Sequence, residues 1–376
     1  MNNKSRLIAN ATIILLIGFT VRLIVTALNA FYGPVFGADL DALAFHERAV
    51  EYSQNSTLET FEIGWIYSYV LGLIYSVTVD SVFLGGFLSC FAWLLSAKYL
   101  VKITKLLRLS NKNQFWVLII YALLPSSILY TSVTLRESYQ LLFVTVAIYS
   151  CLMILINKSF SYWGLLLFSI FFAGVLHGAL MAYGMFLIVL VFMYSSYAQK
   201  NKSGFTMILM ACTIFTILYF AMSVFNESAY QLSNGLGSAI EKYQTGGLDV
   251  VARANYKSEV TVSNTIDLLL FIPLSLFQYL FEPMPWRIIE AVDIPLIFEN
   301  MLRFWLIYKV LTNIRSRSIV NRRLMFFLFI SYLALETIWS VGTINWGTAS
   351  RHHLISIGIL LVAAFHTRSG NKIMVK

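Results

Sequence analysis

The densest run of groups able to do chemistry is GADLDALAFHERA, residues 37–49, which sets Asp39, Asp41, His46, Glu47 and Arg48 directly behind the first long apolar segment. Carboxylates at the mouth of an apolar phase can take a proton from a water-borne hydroxyl while a lipid-borne reactant lies beside them. The D-x-D spacing of Asp39 and Asp41 could also hold a divalent cation, given a third ligand from elsewhere in the chain. As plain structure, the same residues are solvated loop charges and a helix start, with Asp41 near the N-terminal end of a short amphipathic helix whose Ala42, Phe45 and Ala49 recur at helical spacing. That position tilts Asp41 toward whatever the apolar face covers, which favours it over Asp39 as a base.

Other polar groups stand at the ends of apolar runs. Arg136 and Glu137, in PSSILYTSVTLRES, either cap the next helix or form an ion pair inside an outer cavity. Arg351, His352 and His353 close the segment GTINWGTASRHH, expected to be a turn flexible at Gly342 and Gly347. A basic cluster there could hold a phosphate, arginine giving paired hydrogen bonds, or it could rest on lipid headgroups. His177 and Gly178 form a tight turn between two apolar runs, and Arg287 ends the segment FEPMPWR. Arg22, inside the first apolar run, requires an acid, a phosphate or a route to the surface. Glu299 and Glu336 also fall inside apolar runs, as partners for such cations or as acceptors for a polar ligand.

The elements that position these groups are membrane helices. With 59% hydrophobic and 12% charged residues over 376 positions, the chain cannot be a soluble globular domain, where about 25% would be charged. An all-α, polytopic membrane protein is predicted, with one transmembrane domain over residues 1–376. The net charge of +9 comes from Lys and Arg clustered between apolar runs, a topology signal and not a nucleic-acid surface. Cys90, Cys151 and Cys212 each sit within an apolar run and show neither disulfide nor metal-site spacing. Neither a P-loop nor a GxGxxG is present, so a nucleotide-dependent reaction on the cytoplasmic side is disfavoured. The first run contains Arg22 and is followed by no small-residue cleavage site, so it is expected to be a span and not a signal peptide.

Ten spans are expected: Ile8–Leu28, Ser81–Val101, Phe115–Thr131, Ser138–Ile156, Tyr162–Leu176, Ala179–Tyr197, Phe205–Phe225, Ile294–Leu311, Leu324–Val341 and Leu354–His366. Two further apolar stretches, Ile63–Val79 and Ile266–Phe281, are expected to be interfacial or re-entrant. Were both to cross, Lys98, Lys102, Lys105, Arg108, Lys112, Lys158, Lys200 and Lys202 would be exported, against the positive-inside rule. Both termini are then cytoplasmic. The outer face collects residues 30–80, the Arg136–Glu137 turn, His177, residues 226–292 and the turn ending at His353.

An outer-loop Asp in DALAFHERA, then the interfacial GWIYSYVLGLIY, a span ending in a basic loop, and LLPSSILYTSVTLRES make a series that resembles the GT-C superfamily of integral-membrane glycosyltransferases. The later FEPMPWR and WGTASRHH are similar to a bacterial subgroup of surface-polysaccharide enzymes. This resemblance implies a polyprenyl-phosphate or polyprenyl-diphosphate sugar donor, a glycan or lipid acceptor, membrane lipids as surroundings, inversion at the anomeric carbon, and a place in the bacterial inner membrane. Carried over residue by residue, Asp41 matches the loop carboxylate acting as base, Arg136 and Glu137 the charged pair after the third span, and Arg351 the late outer arginine. Arg136, Arg351 and His352 are thus expected to bind donor phosphate, with Glu137, His46, His177 and Arg287 in support. Phe45 stands where many relatives have Tyr. The rival classes are an O-antigen polymerase, for which Arg253 in the second outer loop speaks, and a lipid-linked glycan transporter, which would show related halves and several mid-membrane charges.

Overall fold

The computed structural model describes residues 3–35, 39–54, 62–198, 254–256, 265–288, 290–314 and 319–366. The expected span Phe205–Phe225, Cys212 and Arg253 lie outside these residues. Thirteen α-helices and no strand occur among the described residues. Six stretches there are long and apolar enough to cross a membrane: Ala11–Phe31, Val82–Leu106, Glu137–Asn157, Gly178–Ser195, Arg322–Gly342 and Trp346–Phe365. The distribution of polarity is inside out. Ile13, Leu16, Ile17, Ile24 and Leu28 of α1 (Asn3–Phe31) are exposed while Arg22 is fully buried. Such an arrangement fits a hydrocarbon solvent and would be costly in water.

After α1 come two helices packed on each other, α2 (Asp39–Gln54) and α3 (Ile66–Val77), the latter preceded by a short 3₁₀ turn at Ile63–Trp65. Ala42, Phe45 and Ala49 form the buried stripe of α2, as its periodicity predicts, and the Ser68 hydroxyl donates to the Phe45 carbonyl at 2.9 Å. Gly72 is required by this approach, since a Cβ there would stand 2.7 Å from the Ala49 carbonyl oxygen. At 12 residues α3 is about 18 Å long, too short for a hydrocarbon core of about 30 Å.

Next follow α4 (Val82–Leu106), α5 (Asn111–Leu123), α6 (Pro125–Tyr130), α7 (Glu137–Asn157), α8 (Tyr162–Leu176) and α9 (Gly178–Ala198). The expected continuous span Phe115–Thr131 is instead broken at Leu124, which lies in extended geometry (φ −59°, ψ 124°). Pro125 causes this: it lacks an N–H and sterically drives the preceding residue out of the helical region. Broken ends need partners, and charged side chains supply them. Arg22 Nη1 donates to the Ala122 carbonyl at 2.7 Å, and the Ser126 amide donates to Glu299 Oε1 at 2.8 Å. A cation thus sits at the carbonyl end of one half and a carboxylate at the amide end of the other, the signs a helix dipole favours. Arg22 finds neither an acid nor the surface. Its other contacts are the Thr131 and Ser127 hydroxyls and the Gly18 carbonyl, with its guanidinium 3.6 Å from the Trp93 ring centroid.

The C-terminal part comprises α10 (Thr265–Phe281, with Pro273 inside it), α11 (Ile294–Ile314), α12 (Ile319–Gly342) and α13 (Trp346–Phe365). α11 exposes Phe298, Met301, Phe304, Trp305 and Tyr308 and buries Glu299, Asn300 and Arg303. Those buried polar groups finish α10: Arg303 donates to the Leu280 carbonyl at 2.7 Å and Asn300 to those of Phe281 and Glu282. The last helix starts eight residues before the expected Leu354. WGTASRHH is therefore helical and not a flexible turn, with Asn345 as its cap accepting from the Thr348 amide at 2.7 Å. α13 runs through the centre of the bundle, buried along nearly its whole length, so its polar residues face protein on every side.

Candidate functional site

Asp41, Arg136, Glu137, His177, Arg351 and His352, drawn from separate stretches of sequence, gather at one end of the bundle. Arg351, in the second turn of α13, is central. Its Nη1 donates to Asp41 Oδ2 in a short ion pair, and its Nε stands 3.8 Å from Glu137 Oε1 in the first turn of α7. Arg351 and Glu137 are mostly buried, with side-chain exposures of 16% and 5%, whereas Asp41 is 56% exposed. Asp41 is therefore the exposed member of this trio. Glu137 Oε2 is buried and has no hydrogen-bond partner among the described residues, which leaves it free to accept a donor.

Arg136 and Glu137 do not pair with each other. Arg136 turns the other way, donating to the Leu176 carbonyl at 3.2 Å, where α8 ends, and lying 5.5 Å from the Phe45 ring centroid. Its described partners are thus a carbonyl and an aromatic face, with no acid. The His352 ring is stacked on Trp339 at 3.8 Å between centroids, and its Nδ1 lies 3.2 Å from the Thr343 hydroxyl. His177 meets the same indole edge-on at 4.4 Å and lies 6.1 Å from His352. These three rings form a floor beneath the charged residues.

Several side chains that hold this cluster were not singled out in the sequence. Trp339 is the centre of the stack. Tyr130, at the end of α6, donates to the Ser350 hydroxyl at 2.7 Å, while Ser350 donates to the Gly347 carbonyl, so the broken helix is fastened to α13 beside Arg351. The start of α13 is fixed by Tyr256, whose amide donates to the Ile344 carbonyl at 3.0 Å, and by Trp346, whose indole donates to Asp293 Oδ1 at 3.0 Å. A polar residue facing a helix N-terminus is the only sequence signal for Tyr130, and Trp339 gives none.

Two expected supporting residues lie apart. Arg287 pairs with Glu282 of its own segment at 3.4 Å. His46, about 140° around α2 from Asp41, turns toward α3, where Nδ1 is 3.0 Å from the Tyr75 hydroxyl. Because that hydroxyl donates to the Ser81 carbonyl at 3.0 Å, the imidazole carries its hydrogen on Nδ1. Burial lowers the His46 pKa below its ordinary value, against the pull of Asp80 and Glu47. The side chain of Asp39 falls outside the described residues; Asp41 has a guanidinium as partner, and among the described residues no group of three His, Cys, Asp or Glu is placed to hold a metal.

Beside the charged cluster runs an apolar groove of about 360 Å³ between α3, α4, α7 and α8, lined by residues such as Tyr67, Val70, Phe91, Tyr139, Phe143 and Leu176. Groove and cluster share residues: the carbonyl of Leu176 binds Arg136, and Tyr67 meets Phe45 edge-on at 5.4 Å, one turn along α2 from Asp41. No family model matches the chain, and no curated protein or solved structure matches it.

Proposed function

We propose that this chain is an integral-membrane glycosyltransferase of the GT-C kind, moving a sugar from a polyprenyl-phosphate donor to a glycan or lipid acceptor on the outer face of the bacterial inner membrane. The observation that carries the reading is the junction of a partly exposed carboxylate–arginine cluster with an apolar groove. Those are the two surfaces that an anionic lipid needs, the groove for its chain and the cluster for its head.

In this reading Arg136, which has no acid among its described partners, and Arg351 receive the donor phosphate. Arg351 exchanges Asp41 for a phosphate oxygen, and the freed Asp41 oxygen takes the proton of the acceptor hydroxyl as that oxygen bonds to the anomeric carbon. The phosphate departs with its charge held by the guanidinium groups. Glu137 keeps Arg351 oriented throughout. The ten-span layout with both termini cytoplasmic belongs to the same proposal, because it puts the cluster outside. Purified chain in proteoliposomes, given a radiolabelled polyprenyl-phosphate sugar and an acceptor glycan, should release polyprenyl phosphate and label the acceptor. Absence of transfer from every polyprenyl donor tried, by protein whose fold is intact, would remove the proposal.

A further inference from the structure

α13 carries two histidines in succession, and they face different surroundings. His352 belongs to the outer cluster. His353 points into the bundle, where Nδ1 lies 2.6 Å from Glu336 Oε2 of α12 and Nε2 lies 2.9 Å from the Tyr279 carbonyl oxygen of α10. Glu336 is fully buried. Its Oε1 accepts a short hydrogen bond from the Ser356 hydroxyl, one turn further along α13. The Tyr279 ring lies against the imidazole, centroids 4.3 Å apart.

These contacts count the hydrogens. A carbonyl oxygen only accepts, so Nε2 of His353 carries one. The Nδ1 to Oε2 contact brings two lone pairs to 2.6 Å and requires a second hydrogen between them. The pair is then one proton richer than a neutral imidazole beside a carboxylate, and neutral overall; the Ser356 hydroxyl donates to the other Glu336 oxygen and so favours the carboxylate, which leaves the proton on the ring as imidazolium.

We propose that His353 and Glu336 form a proton-binding site inside the bundle, loaded at neutral pH, that ties α10, α12 and α13 together. The other groups that face it are Arg303 of α11 and the phenols of Tyr183, Tyr279 and Tyr332 on α9, α10 and α12, all within electrostatic reach of Glu336. Burial and the Arg303 charge oppose the proton, while the carboxylate and the Tyr279 carbonyl favour it. The two acceptors decide the outcome, because without the proton a lone pair faces a lone pair where little water screens the repulsion. All three phenolic hydroxyls are buried without a hydrogen-bond partner among the described residues. Arg351 stands two residues before His353 on the same helix, so loss of the proton would loosen the turns that hold Arg351 against Asp41.

The proposal concerns a proton and does not rest on sugar transfer, so the two can fail separately. The full chain, labelled with ¹⁵N-histidine in lipid nanodiscs, should show at neutral pH one histidine with hydrogen on both ring nitrogens. Ser356→Ala, which removes only a hydroxyl, should shift those two signals and so assign them to His353. In Glu336→Gln the amide itself supplies the hydrogen to Nδ1, and the doubly protonated signal should be lost. A bare ring nitrogen on His353 at neutral pH in the unaltered protein overturns the proposal, and that measurement stands even if the Gln variant fails to fold.

Discussion

Arg351 and Asp41, 310 residues apart in sequence, form a direct ion pair between the second turn of α13 and the first turn of α2. The contact joins the groups named from sequence as phosphate clamp and base, and it makes them competitors for each other before they are competitors for substrate. Asp41→Asn preserves the shape and a capping oxygen, so α2 should still form. Loss of the exposed end of this pair should cost stability only about 0.2–1 kcal/mol. Transfer, if Asp41 is the base, should fall by about 10²–10⁴. The comparison is with Asp39→Asn at equal membrane levels, measuring labelled glycan. Full turnover of Asp41→Asn alongside an inactive Asp39→Asn would move the base two residues upstream.

Arg351 should respond differently, since it also serves Glu137. Arg351→Ala removes the charge-assisted contact to phosphate and leaves the buried Glu137 carboxylate with no cation, a loss of roughly 1.5–3 kcal/mol in donor use. Arg351→Lys restores the charge without the fork and should recover part of it. Removing Glu137 as well, in the double variant Arg351→Ala with Glu137→Gln, should lose less stability than the sum of the single changes, because the unpaired carboxylate is gone. Strict additivity of the unfolding midpoints would show that Glu137 and Arg351 do not act as a unit.

How far these groups could be read from sequence depended on the range of the interaction. Asp41 announced itself through its neighbours Ala42, Phe45 and Ala49, a local period, and α2 buries that stripe. Pro125 is an equally local signal, but the apolar run around it has the length of one continuous span; Pro125 opens the break, and Arg22 and Glu299, distant in sequence, satisfy the separated ends. WGTASRHH looked like a turn for its Gly347 and small polar residues, whereas the cap at Asn345 starts a helix that its apolar second half then carries through the core. What no local pattern holds is which of two neighbours turns which way. Arg136 and Glu137 are adjacent, and so are His352 and His353, but successive residues on a helix point about 100° apart, so each pair divides between two environments.

His46 gives a dependence on pH outside the membrane-spanning segments. Its pKa in the folded chain is lowered by burial below the ordinary 6.5. Between those two values the unfolded chain binds more protons, so stability rises with pH. The contribution is complete above the unfolded value and is lost as pH falls below it toward the folded one. Acidification should loosen α2 from α3, since a charged imidazole also loses its half-buried place beside Tyr75. His46→Gln should flatten the acid limb of the unfolding midpoint, and an unchanged limb would assign that limb to other groups.

The orientation of the bundle can be tested at two positions. α4 has 25 residues, about 37 Å of helix, enough to cross a bilayer from end to end. Lys105 lies at its last turn, and Glu51 is exposed on α2, 60% of its side chain accessible. Glu51→Cys should react with an impermeant maleimide added outside intact cells, and Lys105→Cys only after the membrane is opened. Labelling of position 105 from outside would invert the proposed topology and put the Asp41 cluster on the cytoplasmic face.

The broken helix supplies the last expectation, because two buried charges of opposite sign hold its ends from different helices. Arg22 donates to four oxygens, and one of them, the Ala122 carbonyl, has no amide to bond because the chain turns away at Leu124. Arg22→Met keeps an apolar side chain of similar length against Trp93 but leaves that carbonyl and the Ser127 and Thr131 hydroxyls to find other partners. An orphaned buried acceptor costs about 1–3 kcal/mol, so the unfolding midpoint in detergent should drop clearly. The effect should also reach the site. α6 is six residues long and ends in Tyr130, which fastens to Ser350 beside Arg351; freeing its start lets that contact loosen, so donor use should weaken although the substituted side chain and the donor phosphate never meet. Pro125→Ala separates the two causes of the break. It restores an N–H and removes the steric constraint while Arg22 and Glu299 remain, so the break should persist if the charges hold it and close if proline alone does. A Pro125→Ala chain with unchanged stability, together with an Arg22→Met chain that is less stable and uses donor poorly, is the expected pair of results; wild-type behaviour of Arg22→Met would leave the buried arginine without a structural role.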